Sequence, residues 1–118
     1  DADKLSVPEL AKQRFTLADK ARARKLTLSE MEGGSATVSN LGAYGIDEFH
    51  PILNPPQSII LATGRIAKRP VVINDDLHAR STVHLTLAAD HRVLDGVDAA
   101  EFLEQIRNLL ENPSGTLL

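Results

Sequence analysis

His91 and Asp95 stand four residues apart in the run Asp90-His-Arg-Val-Leu-Asp-Gly96. An imidazole with an ordinary pKa near ~6.5 accepts a proton at neutral pH, and a carboxylate held in fixed relation to it supports general-base chemistry. The same spacing also fits a surface or core histidine beside an acid that caps a helix, because Asp95 directly precedes an apolar-periodic segment. Ser39 is the second candidate. It ends an alternating stretch beside Asn40 and Gly42, where its hydroxyl could enter a loop-lined space and donate to an oxyanion. A strand serine bonded to a neighbouring backbone carbonyl accounts for the same residues. His84, Asp90, His91 and Asp95 have no recognised ligand spacing, so no metal is expected.

Composition narrows the chemistry. The chain has 118 residues, one domain's worth, and its 42% hydrophobic and 25% charged residues are the balance of a globular protein. It has no cysteine, which excludes thiol nucleophiles, disulfides and thiolate metal sites. A net charge of -3 offers no basic excess to nucleic acid, and 3% aromatic residues leave no platform for stacking bases. No apolar run approaches the ~20 residues of a membrane-spanning helix. Neither nucleic acid nor membrane is an expected partner. The basic residues Lys12, Arg14, Lys20, Arg22, Arg24 and Lys25 read as a solvated helix face.

The candidate residues need elements to hold them. Ser6-Val-Pro-Glu9 is a capping box, and Leu10, Leu17, Ala18 and Ala21 recur behind it at helical spacing, interrupted by Arg14. Thr27-Leu-Ser-Glu30 is a second box, closed by Gly33-Gly34. Ser35 to Asn40 alternates like a strand. The stretch from Leu41 to Gln57 carries Gly42, Gly45, Pro51, Pro55 and Pro56, and is expected to be an ordered loop with no regular element. Ser58 to Ala62 is a continuous apolar run, expected to be a strand covered on both faces, and Gly64 marks a kink or a close approach to the backbone. Asn74-Asp-Asp76 separates two short runs as a hairpin turn does. Thr82 to Ala89 reads as one strand, with Val83, Leu85, Leu87 and Ala89 on a core face and His84, Thr86 and Ala88 on a more polar one. Ala99, Phe102, Leu103, Ile106, Leu109 and Leu110 make the apolar stripe of a last helix, stopped by Pro113 and packed back on the sheet. The fold class is α/β.

Three motifs occur in order: Ser39-Asn-Leu-Gly42, Pro51-Ile-Leu-Asn-Pro-Pro-Gln57, and Asp90-His-Arg-Val-Leu-Asp-Gly96. Together they resemble the catalytic core of the dihydrolipoamide acyltransferases of 2-oxo acid dehydrogenase complexes. The resemblance runs from Ala2 to Leu118, and the loop from Asn40 to Phe49 is most similar to the pyruvate dehydrogenase acetyltransferases. Arg14-Phe15 departs from the family, which more often shows an apolar residue followed by a polar one.

The resemblance implies a chloramphenicol-acetyltransferase-like mixed sheet flanked by helices. It also implies a trimer with each active site between two subunits, coenzyme A entering from one side and a lipoyl arm from the other. His91 falls at the family's general base. Ser39 falls at its oxyanion donor from the neighbouring subunit, and Asp95 at the aspartate that holds the site through an ion pair. Ser39, Asn40 and Gly64 fall where the family contacts coenzyme A. The implied partners are further copies building a larger core, the lipoyl domain and the dehydrogenase components. The implied location is the bacterial cytoplasm or the mitochondrial matrix. Residues 1–118 match the C-terminal half of the family's catalytic core. Its N-terminal half, including the arginine that pairs with the aspartate, and its lipoyl and peripheral-subunit-binding domains, are not in this sequence. The polypeptide alone is therefore expected to be inactive. Two other readings fit parts of the pattern: a non-catalytic core scaffold, and a small-molecule acetyltransferase of the chloramphenicol type.

Overall fold

The computed structural model describes residues 2–113. They fall into two compact units, one built from the chain up to Gly34 together with the chain from Glu104, the other from Ser35–Leu103.

The first unit is helical. Helix α1 (Val7–Arg22) starts at Ser6 with a capping box, in which the Ser6 N–H donates to the Glu9 carboxylate at 2.9 Å; the Ser6 hydroxyl also donates to that carboxylate at 2.6 Å. It ends with Arg24 in the left-handed region, φ 56°, while the Lys25 N–H donates back to the Lys20 carbonyl. That closing geometry usually falls to glycine. Helix α2 (Leu28–Met31) repeats the box with Thr27 and Glu30. Lys20 joins the two helices by donating to Glu30, and this is the main cause that holds the Glu30 carboxyl down to about 2. The basic face expected on α1 is partly spoken for: Arg22 pairs with Asp19, and the Arg14 guanidinium lies 4.7 Å from the centre of the Phe15 ring.

The second unit carries the sheets. Strands β1 (Ala36–Asn40), β2 (Ile59–Thr63) and β5 (Leu85–Ala89) form a mixed sheet in the order β1-β2-β5, and β3 (Ala67–Ile73) pairs with β4 (Asp76–Thr82) in a separate hairpin. The hairpin closes on Asn74 and Asp75, both at positive φ, which is the two-residue turn that matches strand twist. β2 lies parallel to β1 with Ser39 beside Ala62, and antiparallel to β5 with Ala62 beside Thr86. Helix α3 (Gly96–Glu111) follows β5, and its first half belongs with this unit.

Three expectations need correction. The stretch Thr82–Ala89 is not one strand: Thr82 ends β4, Val83 and His84 leave the hairpin, and β5 begins at Leu85. The break is fixed by the His84 carbonyl, which accepts from Gly64 N–H at 3.0 Å instead of continuing the hairpin ladder. The core face is also the other one. Ile60 and Ala62, at 6% and 2% exposure, are the buried apolar residues among those described, and their sheet neighbours are Thr37, Ser39, Thr86 and Ala88. The face with Leu61 and Leu87 is half-covered, and Val38 is 70% exposed. Alternation shows that a strand has two faces, but small alanine and threonine side chains can be covered as readily as leucine. Finally, the proline-rich loop is not wholly irregular. Gly42–Tyr44 make a 3-10 turn, capped by Gly45 at φ 78°.

Gly64, at the end of β2, is buried. A Cβ there would lie 1.8 Å from the Asp47 carbonyl oxygen. Gly64→Ala should therefore push the loop off the sheet and cost about 1–3 kcal/mol, as overpacking does. Urea denaturation of the full-length protein should show a clearly lower midpoint, and an unchanged midpoint would contradict this packing.

Candidate active site

His91 leaves the C-terminal end of β5 on a tight turn. Asp90 N–H donates to the Ser58 carbonyl at 2.8 Å, fastening the turn to the start of β2, and the Asp90 carbonyl accepts from the N–H groups of Val93 and Leu94. The Asp90 carboxylate accepts from the backbone and guanidinium of Arg92, with one contact at 2.6 Å. That guanidinium is the first cause holding the Asp90 carboxyl down to about 2, followed by the Arg92 N–H. Arg92 is thus turned toward Asp90, while the imidazole of His91 is exposed and makes no hydrogen bond among the described residues.

Asp95 begins α3. Its Oδ1 accepts from the N–H groups of Val97 and Asp98 at 2.8 and 3.0 Å, which is N-capping in full. These two backbone donors, from Asp98 and then Val97, lower the Asp95 pKa, with a smaller contribution from the charge of His91. Asp95 thus caps α3, and among the described residues no hydrogen bond or ion pair joins its carboxylate to His91. No three His, Asp or Glu side chains gather as a metal would need among the described residues.

Ser39 is half-buried on β1, and its hydroxyl has no hydrogen-bond partner among the described residues. Its carbonyl, not its hydroxyl, is engaged, accepting from Thr63 Oγ1 at 3.5 Å. Asn40 follows it and closes a local turn, Oδ1 accepting from Gly42 N–H at 2.8 Å. Gly64 sits beside this turn. What approaches its backbone closely is the chain itself, at Ile46 and Asp47.

Two ends of one sheet are thereby defined. Ser39, Asn40 and Gly64 gather at the C-terminal end of β2, whereas His91 and Asp95 follow β5 past Ile59, at its N-terminal end. Ser39 lies level with Thr86, two strands away. Four strand steps from there to Asp90 span ~13 Å, and two interstrand spacings add ~10 Å sideways. One chain does not bring its Ser39 to its own His91.

The whole chain, residues 1–118, matches the family model for the 2-oxoacid dehydrogenases acyltransferase (catalytic domain). The chain belongs to this acyltransferase family. It is 46% identical over 113 residues to the dihydrolipoyllysine-residue acetyltransferase component of the pyruvate dehydrogenase complex of Rickettsia prowazekii, covering 96% of this chain and 28% of that protein. It is 43% identical over 118 residues to the dihydrolipoyllysine-residue succinyltransferase component of the 2-oxoglutarate dehydrogenase complex of Haemophilus influenzae, covering 100% of this chain and 29% of that protein. Among solved structures, it superposes with a TM-score of 0.92 and 37% identity on the Azotobacter vinelandii dihydrolipoamide acetyltransferase, covering 98% of this chain and 48% of that one. In that protein a serine, a histidine and an asparagine were investigated for their roles in catalysis. The chain thus spans less than a third of these two curated relatives and about half of that solved core. Its fold is the chloramphenicol-acetyltransferase-like fold of those cores, as the motifs imply.

Sequence reasoning missed the group that holds the Ser39 end of this acyltransferase domain. The Asp47 carboxylate accepts from Arg65 Nε at 2.7 Å, from the Arg65 NH2 group at 3.1 Å and from Arg69. Arg69 also donates to the carbonyl and hydroxyl of Thr82, each at 2.9 Å. The Asp47 pKa is lowered, chiefly by Arg65. The available signal was two arginines four apart directly after Gly64, with two adjacent acids, Asp47 and Glu48, at the far end of the Gly42–Gly45 turn, of which Asp47 meets them.

The pH consequence is sharpest at Asp90. Its carboxyl is held below the ordinary 3.8, so its stabilising contact with Arg92 is fully present above that value and is lost as pH falls through about 2. A carboxyl carbon titration followed by NMR should place the Asp90 midpoint near 2, and Arg92→Gln should return it toward 3.8. A midpoint that ignores Arg92 would contradict the assignment.

Proposed function

We propose that the full-length protein carrying this chain transfers an acyl group between dihydrolipoamide and coenzyme A, with acetyl as the group moved. Family membership supports the reaction class. The observation that carries the residue assignment is spacing. The serine, histidine and asparagine investigated for catalysis in the Azotobacter enzyme stand 52 and 4 residues apart, and Ser39, His91 and Asp95 here stand 52 and 4 apart.

The geometry suits that chemistry. A thiol with pKa near ~8.5 is mostly protonated at neutral pH. His91, exposed on its locked turn and free of other hydrogen bonds among the described residues, takes the thiol proton as sulfur attacks the thioester carbonyl. A carbon–sulfur bond forms, and the carbonyl electron pair moves to oxygen. The unengaged hydroxyl of Ser39 donates to that oxyanion. Collapse re-forms the carbonyl, breaks the other carbon–sulfur bond and expels the second thiolate, which recovers the proton from His91. Asp95 holds the start of α3, the helix that follows the turn carrying His91. Asn40 lines the coenzyme A side, and Gly64, covered by the Asp47 backbone, supports it from beneath rather than touching the ligand.

The two-ended placement supports a shared site, Ser39 of one copy working with His91 of another. A homo-trimer is the proposed unit, assembled into a larger core served by lipoyl domains and dehydrogenase components. In this reading residues 1–118 are the C-terminal part of the catalytic domain, working in the bacterial cytoplasm or the mitochondrial matrix.

In the full-length enzyme, His91→Ala should lower turnover by ~10²–10⁴, the usual worth of a general base. Ser39→Ala should lower it by ~10²–10³ with little change in KM, as loss of one oxyanion donor does. Steady-state transfer from acetyl-CoA to free dihydrolipoamide measures both, with succinyl-CoA as the competing donor. A folded His91→Ala enzyme at normal rate overturns the mechanism, and faster transfer from succinyl-CoA reassigns the acyl group.

A further inference from the structure

We infer that Asp47 is a positioning residue for catalysis, acting through the strand end that carries Ser39. The inference rests on the reading of Ser39 as the oxyanion donor.

Among the described residues β1 pairs with β2 along one side. A donor to an oxyanion works within a narrow distance range, about 2.7–3.1 Å from the oxygen it stabilises. Something must therefore hold the end of β1. Ser39 and Asn40 run straight into the turn from Leu41 to Asp47, and that turn is fastened at both ends to the same short stretch of backbone. At its start, Leu41 N–H donates to the Thr63 carbonyl at 3.2 Å, and Gly42 sits so close that a Cβ there would lie 2.7 Å from the Gly64 carbonyl oxygen. At its finish, the Ile46 carbonyl accepts from Arg65 N–H at 2.8 Å, and the Asp47 backbone lies over Gly64. The Asp47 carboxylate then reaches Arg65 and Arg69, and Arg69 reaches Thr82 at the end of β4.

The order of these contacts matters. The Asn40 turn can shift only if the Asp47 end slides over Gly64, and the two guanidinium groups oppose that slide. The carboxylate is a bidentate partner for Arg65, which fixes direction as well as distance. Arg69 carries the restraint to the other sheet through two acceptors on one residue. Asp47 itself makes no contact with Ser39 that would give it a part in the chemistry. Its effect reaches the hydroxyl through backbone geometry.

A double-mutant cycle in the full-length enzyme tests this. Asp47→Asn keeps the side-chain shape and removes the charge. It should lower kcat about 10- to 100-fold, the scale of a misplaced catalytic group, while KM for dihydrolipoamide stays put. In the Ser39→Ala background the same substitution should cost little, because the group it positions is gone. A merely structural role would lower activity equally in both backgrounds. Equal losses, or a normal kcat in Asp47→Asn with Ser39→Ala impaired, overturn the positioning inference alone. Normal turnover in Ser39→Ala overturns the oxyanion reading first, and this inference with it. Should Asp47→Asn melt below the assay temperature, Thr82→Val takes its place in the cycle. It removes one acceptor of Arg69, and should give a smaller loss that also vanishes without the Ser39 hydroxyl. A loss that persists there overturns the inference.

Discussion

Much of the site end of this domain depends on one steric fact: Gly64 has no side chain, and the backbone of Asp47 occupies the space where one would be. This contact lets a turn rich in glycine lie flat against the end of β2. The turn brings its own carbonyl, at Ile46, to the N–H that Arg65 would otherwise leave unpaired. The charged clamp forms only because the backbone is already in place, since a carboxylate and two arginines left in water gain little from meeting. The sterics come first, and the electrostatics set the direction.

A different constraint governs the histidine end. Here nothing is deeply buried. Asp90 and Asp95 bracket His91, one turned toward the guanidinium of Arg92 and the other toward the first N–H groups of α3. Each carboxylate spends its acceptors on the chain itself, and the imidazole between them is left without such ties. A side chain that must take and return a proton gains from this arrangement, because the backbone holds it still and its ring nitrogens stay available.

The legibility of the chain followed physical range. Local features were plain in the sequence: the two capping boxes, the Asn74-Asp75 hairpin turn, the apolar run that became the central strand and the aspartate at the head of α3. Each depends on a few neighbouring residues. The family was legible because three motifs in fixed order are specific in a way that His91 and Asp95 alone are not. What could not be read was anything decided by residues distant in sequence. The split at Val83 and His84 depends on Gly64. The choice of buried face depends on what covers Ile60 and Ala62, and both faces of β5 carry apolar side chains. The Asp47 clamp spans 22 residues to reach Arg69, and a charge in a loop looks solvated until its partner is known.

In the trimer and with the roles proposed for them, Ser39 and His91 at opposite ends of the sheet have a genetic meaning. Consider a cell with two alleles, one lacking the histidine and one lacking the serine. Neither product alone builds a working centre. Co-assembled, they meet at junctions where the intact histidine of one faces the intact serine of the other, and a ring of three containing both products keeps one such junction. Two null alleles would then restore growth together. A chain that carried its whole reaction centre within itself has no such route, and the pair of lesions would stay recessive to nothing but the wild type.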